Sequence, residues 1–253
     1  MAEKMIDAET GGLAVDITAY DADPATEARH TGPLSGRLAV VTGGSGRVGR
    51  SIALRLAAEG ARVCVVGRDL VRLRSAVGEG GRSSAMLYLQ CDLGSAKEID
   101  GLSDFIDRFD RPIDLLVHAA GVTVAGDVAS GDVADLDEQY LVNVRAPFLV
   151  TQKLLPKLRA GGGHVIFVRP TPDGPGTATM QGITSAASAA LSAGLAREEA
   201  EHGISVAAVE CATGDVPLSG DVVADAVVYA VTVASRAQDV EIVDIRLRSR
   251  SLG

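Results

Sequence analysis

Tryptophan is absent from this chain of 253 residues, and aromatic residues make up only 3% of it. Packing must therefore come from aliphatic side chains, and the hydrophobic fraction of 47% is carried mainly by Val, Ile, Leu and Ala. That mixture suits a buried parallel sheet covered by helices. Cysteine is scarce as well. Cys64, Cys91 and Cys211 lie far apart, an odd number in no ligand spacing, so they read as buried small hydrophobes rather than disulfides or metal ligands. The histidines His30, His118, His164 and His202 are not paired at helical ligand spacing, and no metal is expected. No apolar run reaches membrane-spanning length. The N-terminus lacks the basic start and apolar core of a signal peptide, which makes the cytoplasm the expected compartment. Positive charge is in deficit: 24 basic residues face 33 acidic ones, for a formal charge of -9. An acidic chain with no basic stripe is a poor candidate for binding nucleic acid or an anionic membrane.

The length fits one well-packed domain better than two. Residues 1–36 read as an extension. Residues 1–35 hold seven acids (Glu3, Asp7, Glu9, Asp16, Asp21, Asp23, Glu27) against Lys4 and Arg29, with turn-forming Gly11-Gly12, Asp23-Pro24 and Thr31-Gly32-Pro33. The segment is either a flexible tail or an arm that packs on a neighbouring subunit or covers the site. Residues 37–253 form the domain proper. Short apolar runs at Leu38–Val41, Val63–Val66, Ala85–Cys91, Leu115–Val117, Val165–Val168, Ile204–Val209 and Glu241–Leu247 read as strands. Helical patterns occupy Val48–Ala58, 137–159, 183–201 and 221–234. Alternation of this kind argues for βαβ units and an α/β fold: a doubly wound parallel sheet in a three-layer αβα sandwich. The chemistry is then expected at the carboxyl ends of the strands.

The strongest motif is Thr42-Gly43-Gly44-Ser45-Gly46-Arg47-Val48-Gly49. It follows a strand, opens a helix and contains Gly44-x-Gly46-x-x-Gly49, the dinucleotide fingerprint in its required setting. Glycine permits a tight turn and close backbone approach to a pyrophosphate, and the helix start offers free N–H groups. After the second strand comes Gly67-Arg68-Asp69. An acid at this point suits the ribose 2′-OH of NAD, whereas a cation suits a 2′-phosphate; Arg68 is the first charge beyond the strand, which favours NADP(H).

Thr-Gly-x-x-Gly-x-x-Gly resembles the glycine signature of extended and atypical short-chain dehydrogenases/reductases. In the single-domain members, which the rest of the chain resembles more, Arg47 would stand at a glycine position. Asp92-Leu93 after the third strand resembles the family's adenine-contacting pair. His118-Ala119-Ala120-Gly121 after the fourth resembles its Asn-Asn-Ala-Gly, and Asn143 sits where the family keeps a helix-distorting Asn of its catalytic tetrad. The resemblance covers about residues 37–248. It implies a nicotinamide cofactor held by Thr42, Gly43, Gly46, Arg47, Val48, Gly49, Arg68, Asp92, Leu93, Ala119, Ala120 and Gly121. It also implies association through the helices at 137–159 and 183–201, giving a homo-oligomer or a hetero-oligomer with a relative.

The same resemblance fails at the acid/base residues. The family uses a Tyr phenol, a Lys four residues on and a Ser upstream; here Thr184 stands at the Tyr position and Ser188 at the Lys position. Pro170 or Thr171 aligns with the Ser, so Asn143, Thr171 and Thr184 are what remains of a catalytic set. A Thr hydroxyl has no pKa near 7 and no cation here to lower it. Tyr140, one turn before Asn143, reads as a packing residue. The family's Pro-Gly after the sixth strand reads Cys211-Ala212, and only Thr213–Gly220 separates it from the next helix. Three functions remain open: an atypical ketoreductase acting on a small-molecule carbonyl, such as a polyketide; an inactive subunit pairing with an active relative; or a cyclase or dehydratase reusing the pocket.

Overall fold

The computed structural model describes residues 15–16, 32–79, 86–124, 126–171, 178–211, 218–236 and 244–248. Its strands are β1 Val15–Asp16, β2 Leu38–Thr42, β3 Arg62–Gly67, β4 Met86–Gln90, β5 Leu115–His118, β6 His164–Pro170, β7 Ser205–Cys211 and β8 Asp244–Leu247. They form one eight-stranded sheet in the order β1-β4-β3-β2-β5-β6-β7-β8. Every neighbouring pair is parallel except β1 with β4. The sheet is the doubly wound one that the alternating pattern called for.

The helices are α1 Arg47–Ala58, α2 Leu70–Glu79, α3 Ala96–Asp107, α4 Val133–Tyr140, α5 Ala146–Gly161, α6 Thr179–Glu199 and α7 Gly220–Arg236. Because successive side chains in a strand point to opposite faces, the sheet feeds two apolar cores. Val40, Cys64, Leu116 and Phe167 pack under α3, α5 and α6. Val41, Val65, Val117 and Ile166 pack under α1 and α7. Cys64 and Cys91 lie buried within the first core and Cys211 is partly buried; all three are free thiols.

Local chemistry sets the helix ends. Ser95 caps α3 by accepting from the Glu98 backbone N–H at 3.3 Å, and Asp132 caps α4 by accepting from Ala134 at 2.9 Å. α5 stops at Gly162, whose φ of 59° is the left-handed conformation that glycine tolerates.

Three expectations need correction. The helix at 137–159 begins earlier, with α4 at Val133, and is interrupted by a turn of π-helix over Leu141–Arg145, centred on Asn143. A strict 3.6-residue pattern cannot show such a bulge, since it inserts one residue without changing which side chains are apolar. The stretch treated as an extension contributes Leu34 to the core, 1% exposed, and the edge strand β1. Tyr140 is half-exposed rather than packed. Residues 241–243 of the last expected strand lie outside the described residues.

Candidate active site

The strand order reverses between β2 and β5, and the loops leaving those carboxyl ends diverge to leave a cleft. It measures about 470 Å³. Gly43, Ser45 and Gly46 line it after β2, Gly67, Arg68, Asp69 and Arg72 after β3, Cys91, Asp92 and Leu93 after β4, and Ala119–Val122 after β5. The glycine loop is held closely. Gly43 has φ +73°, and a Cβ there would sit 2.5 Å from the Ala120 backbone nitrogen, so only glycine fits. A Cβ on Gly49 would overlap the Gly43 carbonyl.

The start of α1 is prepared for an anion. Gly46 occupies the cap position with no side-chain bond to the first turn, and that turn carries no acid. Its free N–H groups and the positive end of the helix dipole are what a pyrophosphate requires. At the other end of the cleft, Asp69 accepts from the Arg72 backbone N–H at 3.1 Å and pairs with its guanidinium at 3.2 Å. Asp69, which lines the cleft with Arg68 and Arg72, is thus already engaged by Arg72 and as a helix cap. Gln90 fixes the Arg68 backbone by donating to its carbonyl at 3.0 Å, and the Arg68 guanidinium lies 3.8 Å from the Glu138 carboxylate.

Four residues singled out from the motif are placed behind the cleft wall rather than on it. The Thr42 hydroxyl is buried and donates to the Val117 carbonyl at 3.3 Å, tying β2 to β5. Arg47 donates to the Leu218 carbonyl at 2.9 Å, away from the cleft. Val48 packs against the core and Gly49 is buried under the loop. A motif gives sequence position, not the direction of a side chain. Gly43, Gly46, Arg68, Asp92, Leu93, Ala119, Ala120 and Gly121 do line the cleft, joined by Arg72, Val122 and Val142, which spacing alone did not reveal.

Beyond Gly121 lies a much smaller cavity, about 40 Å³, lined by His118, Asn143, Arg169, Pro170, Thr184, Ser185 and Ser188 among others. Asn143 accepts from the Val122 N–H and donates to the Val122 carbonyl, both at 2.8 Å, so it clasps the loop after β5. Its amide also reaches the Thr184 hydroxyl at 3.5 Å. Thr184 turns its own proton toward carbonyls of its helix, Met180 at 3.4 Å and Gln181 at 3.3 Å. Thr171 is buried outside this cavity; its backbone N–H donates to the Cys211 carbonyl at 3.1 Å, and its hydroxyl has no partner among the described residues. The structure therefore brings Asn143 and Thr184 together and leaves Thr171 apart.

Two charged or titratable groups, His118 and Arg169, line this cavity. His118 lies 2.9 Å from the Thr151 hydroxyl, and burial pushes its imidazole down to about 3, so it is neutral at pH 7. Arg169 is 7% exposed and sits in register with Glu210, which is in register with Arg246. Glu210 accepts from Arg169 at 3.1 Å and from Arg246 at 3.0 Å, and Arg169 also donates to Ser192 at 2.9 Å. This ladder neutralises a guanidinium that would otherwise be a costly buried charge. Among the described residues no cluster of His, Cys, Asp and Glu could hold a metal ion, and no helix is long and apolar enough to cross a membrane.

Residues 37–226 match the model of the short chain dehydrogenase family. The chain belongs to that family. Among curated relatives of this short-chain dehydrogenase, an uncharacterized oxidoreductase of Staphylococcus epidermidis is 30% identical over 212 residues, 78% of this chain and 91% of the relative. An NADPH-dependent aldehyde reductase-like chloroplastic protein of Arabidopsis thaliana is 29% identical over 150 residues, 54% of this chain and 56% of that one. A solved metagenomic short-chain oxidoreductase in complex with NADP superposes with a TM-score of 0.78 at 28% identity, covering 87% of this chain and all of the other. The family is one of nicotinamide-dependent oxidoreductases, and the fold is theirs.

Proposed function

We propose that this short-chain dehydrogenase binds NADP(H) and reduces a small-molecule carbonyl without a tyrosine acid. The observation that carries the cofactor choice is Arg68 lining the cleft while Asp69, the nearest acid, is taken up by the Arg72 guanidinium and the start of α2. Gly43, Gly46 and the first turn of α1 would hold the pyrophosphate, Asp92 and Leu93 would flank the adenine, and Ala119–Gly121 would support the nicotinamide half. The NADP seen with the metagenomic relative supports this choice. A bound nicotinamide supplies the hydride, so the protein's task is orientation and proton supply.

Neither Thr184 nor His118 is a general acid at neutral pH: the hydroxyl serves its own helix and the imidazole is held neutral. Proton delivery falls to water. A cavity of about 40 Å³ lined by Asn143, Thr184, Ser185 and Ser188 has both the room and the polar partners that a buried water needs. Asn143 and Thr184 thus act by positioning rather than by acid catalysis, Asn143 through its clasp on Val122, and Thr171, outside the cavity, takes no part.

The same lack of an acid favours a second reading, a nucleotide-binding subunit that assembles with a copy of itself or with an active relative. Ile183, Ala186, Ala190 and Ala193 form an exposed stripe of mostly small residues along α6, and Phe148 is half-exposed on α5. Such a stripe lets helices of two subunits approach closely.

The discriminating experiment follows NADPH fluorescence while the protein is mixed with a panel of aldehydes and ketones. Loss of the signal that requires a carbonyl, and that Arg68→Ala slows about tenfold at subsaturating NADPH through loss of about 1.5 kcal/mol of binding, supports the reductase. Tight NADPH binding with no consumption across the panel selects the subunit reading instead.

A further inference from the structure

The edge of the sheet at β4 has an occupant from outside the dinucleotide-binding units. β1 pairs antiparallel with β4, Val15 opposite Leu89 and Asp16 opposite Tyr88. We infer that this N-terminal strand is an edge guard, which keeps β4 from pairing with the same edge of a second copy of the chain.

The sequence of β4 explains the need. Met86-Leu-Tyr-Leu-Gln90 carries no charge and no proline, and Met86, Leu87, Tyr88 and Leu89 are all buried on the sheet faces. Without β1, what β4 would offer to solvent is a straight row of unpaired backbone N–H and C=O groups. An uncharged edge of that length is a template for another strand. β1 covers the Tyr88–Leu89 part of that edge with a strand of two residues, one of them an acid in sequence. The segment that supplies β1 is itself acidic in sequence, residues 1–35 holding seven acids against Lys4 and Arg29, so two copies of it repel one another. A short, charged edge strand is one of the ways in which sheets avoid joining edge to edge.

The alternative roles for this segment are covering the site or bridging to another subunit, and neither requires contact with β4. The pairing with β4 lies on the far side of β4 from β3, outside the residues that line the cleft. Removing it should therefore change association without unfolding the domain.

The test compares the full chain with the full chain carrying Val15→Pro and Asp16→Pro, which removes two backbone donors and fixes φ unfavourably for a strand. Far-UV circular dichroism confirms that the variant is folded. Hydrogen exchange then reads the amide of Tyr88, which alternation along β4 turns toward β1, against that of Leu89, which it turns toward β3, and sedimentation reads the mass across a range of concentrations. Exchange at least about tenfold faster at Tyr88 with little change at Leu89, together with a mass that rises with concentration beyond that of the unaltered chain, is the expected result. Unchanged exchange overturns the guard, and so does faster exchange with unchanged mass. Neither readout depends on nucleotide binding, so the inference fails or stands apart from the proposed function.

Discussion

Lowering the pH should destabilise this protein between neutrality and pH 5, and His118 should account for about half of the loss. His118 is buried and neutral in the folded state with its imidazole at about 3, against an unfolded value of 6.5. A folded-state value below the unfolded one means that the unfolded chain binds the proton first. The stability is complete above pH 6.5 and is lost as pH falls toward the folded value. Between pH 7 and pH 5 the unfolded imidazole becomes almost fully protonated while the folded one does not, which costs about 2 kcal/mol. His164 is held down to about 4, mainly by burial, with Arg37 lowering it and Asp114 opposing. It adds a similar amount over the same interval. Urea unfolding at both pH values measures the sum, and His118→Gln isolates one part, since the Gln amide reaches the Nε2 position that bonds to Thr151 and does not titrate. The variant should lose about 2 kcal/mol less than the unaltered protein between pH 7 and pH 5. An equal loss in both proteins would show that His118 is protonated or solvated in the folded state, and the burial argument would fail.

Gly43→Ala should cut binding of NADPH and NADH alike by more than about tenfold, because the added methyl meets the Ala120 backbone at a left-handed turn both nucleotides share; calorimetric titration of each nucleotide checks it. Glu138→Gln should strengthen NADPH binding about two- to threefold and leave NADH unchanged, since the carboxylate 3.8 Å from the Arg68 guanidinium competes with a 2′-phosphate. A gain shared by both nucleotides would place the effect elsewhere in the cleft.

Periodicity and turn chemistry made most of the fold legible. The apolar runs of β2, β3 and β5 need no partner to be recognised, because both faces of each are buried. α2 and α3 have weaker sequence signals, although Ser95 with Glu98 is a readable helix start. β1 could not be read at all: a two-residue strand has no period, and its existence depends on what β4 offers. In the site, the glycine loop was legible because glycine has few other reasons to recur at that spacing. The role of Arg47 was not, since the carbonyl it meets, Leu218, is 171 residues away in sequence. The Arg169–Glu210–Arg246 ladder was equally hidden, as strand register decides which charges meet.

The central claim is that the cleft takes NADP(H) in preference to NAD(H). Calorimetric titration of the full chain with NADPH and with NADH tests it most directly. The account predicts saturation at one nucleotide per chain, with NADPH bound at least about tenfold more tightly, the worth of one charge-assisted contact to the 2′-phosphate. Equal affinity for the two, or no binding of either, would contradict it.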